Sequence, residues 1–102
     1  MKVKRWKTRN DANHNNHHAE VNGVEFFRFP YSSFTSRVGQ FTAIVSATSL
    51  NGQYSATVYR PNPNRAGDTL VVHFEQDPDQ DRLFVWAAAQ MKQLQAASKK
   101  ED

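Results

Sequence analysis

Two runs of alternating apolar and polar residues meet at Asn51-Gly52, and no other feature constrains this chain as strongly. Asn-Gly is the preferred pair for a two-residue type I′ turn, since both central residues must adopt positive φ and the resulting twist matches that of the flanking strands. The pattern predicts a hairpin of residues 41–50 and 53–60, with Leu50 facing Gln53, Ala47 facing Ala56, Val45 facing Val58 and Ile44 facing Tyr59. One face then carries Phe41, Ala43, Val45, Ala47, Tyr54, Ala56 and Val58, small enough at its centre for a helix to lie close. The other carries Thr42, Ile44, Ser46, Thr48, Ser55, Thr57 and Tyr59, a hydroxyl-rich face that can stand in water.

The helix is predicted further on. Asp77-Pro78-Asp79 reads as an aspartate cap with proline at the first helical position and acids in the first turn. Leu83, Phe84, Ala87, Ala88, Met91 and Leu94 then fall on one stripe at helical spacing. Between hairpin and helix, residues 60–68 hold two prolines and Gly67 and read as a loop. Residues 69–75 follow as a strand, with Leu70, Val72 and Phe74 inward and Val71, His73 and Glu75 outward. Upstream, Asn22-Gly23 is a turn signal before a further aromatic strand, which Pro30 confines to a sheet edge or ends. Residues 32–39 read as a loop or irregular turn.

The expected fold is therefore α+β: a small antiparallel sheet of three to four strands with one C-terminal helix packed on one face, in the order β-β-β-β-α. Residues 21–98 form the single domain and 99–102 a charged end. Residues 1–20 read as a basic, Asn/His-rich disordered tail, because a polar run such as 10–18 has nothing to bury against its ordering entropy.

Charge is unevenly placed. Lys2, Lys4, Arg5, Lys7 and Arg9 put five positive charges in the first nine residues with no acid among them, and the remainder carries two more acids than bases. A basic segment with one aromatic, Trp6, suits contact with phosphates or with an acidic protein surface.

Several chemistries drop out. With no cysteine there are no disulfides, thiolate metal sites or cysteine nucleophiles. The glycines stand at 23, 39, 52 and 67, so no phosphate-cradling loop forms. Asp77, Asp79 and Asp81 have the opening spacing of a calcium loop, but Arg82 stands where glycine is required and Ala88 where the bidentate glutamate belongs. His14, His17 and His18 lie in an asparagine-rich run without a nearby carboxylate pair to orient them. His73 and Glu75 share a strand face with no nucleophile, metal or oxyanion hole beside them. The expectation is a non-enzyme with no metal and no cofactor, cytoplasmic, with no apolar run long enough for a membrane.

Aromatics carry the functional reading. Phe26, Phe27, Phe29, Tyr31 and Phe34 crowd nine residues with Arg28 among them, more rings than one strand face can bury. Val85 and Trp86 lie off the helix stripe and point to a second covered side, by the aromatic segment or by another copy of the chain. The favoured expectation is a protein-binding module, such as a small inhibitor or adaptor of the kind phages and mobile elements encode. Its interface would comprise Phe27, Arg28, Phe29, Tyr31, Phe34, Val85 and Trp86, with homodimerisation through the same surfaces compatible with it. The alternative is a nucleic-acid-binding accessory protein using Lys2, Lys4, Arg5, Trp6, Lys7 and Arg9 with the neighbouring aromatics.

Overall fold

The computed structural model describes residues 3–6, 18–28 and 33–100, with the backbone alone for Arg5, Trp6, Lys99 and Lys100. Strands β1 (Lys4–Trp6), β2 (His18–Val21), β3 (Val24–Arg28), β4 (Phe34–Val38), β5 (Phe41–Val45), β6 (Tyr54–Pro61) and β7 (Thr69–Asp77) precede one helix, α1 (Gln80–Lys100). All pairings are antiparallel, and the sheet order is β1 to β7 in sequence order, a continuous meander. The α+β class and the C-terminal helix on one face are as the sequence implies. The strand number is not: the sheet has seven strands, of which β1 is only three residues long.

The three extra strands come from segments that composition hides. β4 is Phe-Thr-Ser-Arg-Val, too polar to read as a strand, yet Phe34 and Ser36 are buried while Thr35 and Arg37 face the other way. Burying alternate residues on an existing sheet decided its conformation, and the intrinsic preference of serine and threonine did not. The N-terminal region likewise contributes β1 and β2, so Lys4–Trp6 and His18–Val21 are sheet and not tail. Ala19 and Val21 are fully buried and Val3 packs on the core margin, while the cations of β1 are well suited to a sheet edge.

Asn51 and Gly52 take the positive φ values their turn needs, 54° and 79°, and Leu50 pairs with Gln53 as expected. Beyond that bridge the register departs: Val45 pairs with Ala56 and Ala43 with Val58, a slip of two residues. An even slip returns every side chain to its own face, so burial alone could not exclude it. Ser46 manages the irregularity. Its amide donates to the Ser55 carbonyl (2.8 Å), its hydroxyl accepts from the Ser55 amide (2.9 Å), and its carbonyl accepts from Gln80 Nε2 (2.8 Å) at the start of the helix.

The helix begins two residues later than the Asp-Pro signal suggests. Asp79 is the cap, accepting from the Asp81 amide at 3.0 Å, and Asp77 holds the preceding turn by accepting from the Asp79 amide at 2.7 Å. Pro78 therefore precedes the cap. Leu83, Phe84, Ala87, Ala88 and Met91 are buried against the alanine-centred face of β5 and β6, with Leu94 half-buried behind them. Phe84 stands edge-on to Phe26 (4.9 Å) and Phe34 (5.0 Å), the aromatic centre of the core. Among the described residues no helix is long and apolar enough to cross a membrane.

Candidate interaction surface

The helix covers one face of the sheet, and among the described residues no element packs on the other. Along the open face the register places His18, Phe27, Thr35, Ile44, Thr57 and Phe74 in one cross-strand row. Phe27 and Phe74 stand near its two ends, four strand spacings and so roughly 19 Å apart. Phe27 is 43% exposed and meets His18 edge-on at 4.9 Å. Near it β3 and β4 pair only at Phe27–Thr35 and Arg28–Phe34. Beyond these pairs the Ser36 hydroxyl donates to the Glu25 carbonyl, and the diverging strands frame a shallow groove of about 510 Å³ lined by Glu25, Phe27, Thr35 and Arg37.

β7 is the more exposed apolar element. It closes the sheet, and among the described residues no strand pairs with its outer side. Its register against β6 shifts between Val58 and Tyr59: His73 pairs with Val58, but Val71 pairs with Tyr59, leaving Val72 as an extra residue. A bulge of this kind turns two consecutive residues to the same side. Val72 and His73 are accordingly both half-buried on the helix side, Val72 near Leu94 and His73 edge-on to Trp86 at 6.3 Å. Val71 and Phe74 both face out from the open side, 61% and 59% exposed. The inward placement of Phe74 and outward placement of His73 expected from strict alternation are thus reversed, and the bulge is the cause.

The polar groups of that edge can be read as well. The Gln76 amide donates to Glu75 Oε1 at 3.0 Å and so points away from β6. By the period of a strand, the amide and carbonyl of Phe74 point outward too, and past the bulge so do those of Val71.

The residues singled out from sequence are divided by this arrangement. Phe34 is only 2% exposed, packed on Phe84, and is a core residue and not an interface one. Arg28 is half-buried, and Phe27 alone of the described aromatic segment opens to solvent. Val85 and Trp86 are half-buried on the flank of α1 and pack on the core margin, Trp86 reaching the β7 side. Lys4 is exposed in β1, where Arg5 pairs with Ala19 and Trp6 with His18. Lys2, Lys7, Arg9, His14, His17, Phe29 and Tyr31 lie outside the described residues. Asp77 and Asp79 cap the helix start and both face Arg82, at 4.0 Å and 3.7 Å, which accounts for the acidic spacing without a metal.

Leu70 and Phe74, which the alternation places inward, are exposed together with Val71, which it places outward, and none of the three stands among the interface residues expected from sequence. A signal was present: residues 70–74 are five consecutive large apolar or aromatic-ring side chains, more than one face of a strand can hide. Comparison with protein-family models, with curated proteins and with solved structures gives no match to this chain.

Proposed function

We propose that this chain is a non-catalytic protein-binding module, an inhibitor or adaptor in the broad sense, whose recognition element is the outer edge of β7 with its exposed Leu70, Val71 and Phe74. The observation that carries this reading is a nine-residue strand ending the sheet with its apolar side chains in solvent. Sheet edges are ordinarily blunted by lysine, proline, brevity or a bulge; β7 carries the Val72 bulge but neither lysine nor proline, and runs for nine residues. Adding a strand to such an edge gains main-chain hydrogen bonds and covers alternate side chains together.

The nucleic-acid reading has less to support it. Lys4 of β1 stands in one cross-strand row with Glu20 and Glu25, so the local charge of that row is negative. A photo-reactive phenylalanine analogue placed at position 74, at 27 or at 4 in cells making the chain tests both readings. Protein adducts concentrated at position 74 are expected. Adducts at 27 or 4 alone, or nucleic acid captured at 4, overturn the β7 reading.

A further inference from the structure

We infer that the occupant of the β7 edge is a second copy of this chain, bound by antiparallel pairing of the two β7 strands about a two-fold axis between Val72 and His73. This rests on the reading of β7 as the recognition element and names its partner. Three observations carry it: the side-chain faces, the outward backbone groups and the charges at the two ends of β7.

Facing residues of an antiparallel pair lie on the same side of the sheet. In a regular strand, a two-fold axis perpendicular to the sheet can only set a residue opposite its own copy. The Val72 bulge changes that condition, since Val72 and His73 share the helix side while Val71 and Phe74 share the open side. Pairing about the midpoint of Val72 and His73 sets Val71 opposite Phe74 of the second copy, open face with open face. Leu70 then lies opposite Glu75, both on the helix side, and Thr69 opposite Gln76. The positions so matched, Val71 and Phe74, are those whose amides and carbonyls point outward. The exposed Phe74 ring is covered by Val71 of the other copy, and this happens twice.

The ends of β7 differ in charge. Its start lies beside exposed Arg60 of β6, with Arg65 of the following loop facing Asp68 at 4.0 Å, a net positive group. Its end runs into Glu75, Asp77, Asp79 and Asp81, with Arg82 against Asp77 and Asp79, a net negative one. Antiparallel pairing brings acidic end to basic end twice. Within each copy Arg60 is the β6 register partner of Leu70, so Glu75 of the second copy stands one strand beyond it on the same face, within reach of two long side chains. Among the described residues the opposite edge of the sheet, β1, is three residues long and offers no comparable length.

Light scattering coupled to size-exclusion chromatography on the full chain should give twice the 11.7 kDa chain mass. Phe74→Lys, at a position already exposed in the single chain, should weaken the dimer by on the order of tenfold or more while leaving the circular dichroism unchanged. The charges allow a stricter test. Glu75→Arg alone and Arg60→Glu alone should each be monomeric at concentrations where the parent is dimeric, because each leaves like charges facing. A mixture of the two variants should restore a dimer, since both contacts are then of opposite sign.

A dimer indifferent to all three substitutions forms through another surface and overturns the proposal. So does a monomeric parent, and amide hydrogen exchange then decides what else falls. Fast exchange at Val71 and Phe74 leaves an open edge for a different protein, so the binding-edge reading survives. Slow exchange in a monomer means the chain covers its own edge, and both readings fail.

Discussion

Phe84 is the residue on which most of the core converges. Its ring meets those of Phe26 and Phe34 edge-on, an arrangement that adds aromatic attraction to the area it buries. Phe84→Ala should destabilise the fold by about 3–5 kcal/mol, against about 1 kcal/mol for Phe84→Leu, which keeps most of the volume. Urea midpoints at constant m-value measure both, and a Phe84→Leu variant as stable as the parent would show that the ring stacking contributes nothing. Gln80 is a smaller but more local case. Its side chain satisfies the Ser46 carbonyl that the hairpin irregularity leaves outside the ladder. Gln80→Ala should cost about 1 kcal/mol, and Gln80→Glu, which replaces a donor by an acceptor facing a carbonyl, should cost more. A Gln80→Glu variant as stable as the parent would show that this hydrogen bond is not made.

Among the elements, what could be read from the sequence followed the strength of the local signal. The Asn51-Gly52 turn, the apolar face of the hairpin and the buried stripe of α1 each rest on a repeated pattern backed by turn or cap chemistry, and all three are present. β1 and β4 were not legible, because charged and hydroxyl residues become strands there only by docking on neighbours far from their own sequence. The β7 bulge was invisible for a different reason. One extra residue leaves composition untouched but exchanges the faces on either side of it, which is how Phe74 came to the surface and His73 to the helix. On the candidate surface, Phe27 is exposed while Phe34 is interior and Val85 and Trp86 pack on the core margin; of the β7 residues the alternation places Val71 outward but Leu70 and Phe74 inward. If β1 is an accessory edge, a chain beginning at residue 7 should fold with its core intact and lose only about 1 kcal/mol, chiefly from half-buried Val3. Loss of a cooperative thermal transition in that shortened chain would instead make β1 part of the folding unit.

At the scale of the whole molecule, one core joins five strands and the helix, with residues from β2 through β6 and α1 contributing buried side chains. Unfolding should therefore be a single transition by near- and far-ultraviolet probes alike. The meander has a further consequence, for synthesis. Each strand pairs with the one made just before it, so the sheet can assemble as the chain emerges and few contacts wait on distant sequence. Its apolar face cannot wait in the same way. Ala19, Val21, Phe26, Phe34, Ala43 and Val58 have no cover until α1 is made. A chain stopped before Gln80 should thus be a sticky sheet that binds hydrophobic dyes and precipitates, and adding α1 as a separate peptide should reduce both effects. A nascent chain of this design depends, until its last turn of helix is complete, on whatever the cell supplies to shield an unfinished sheet.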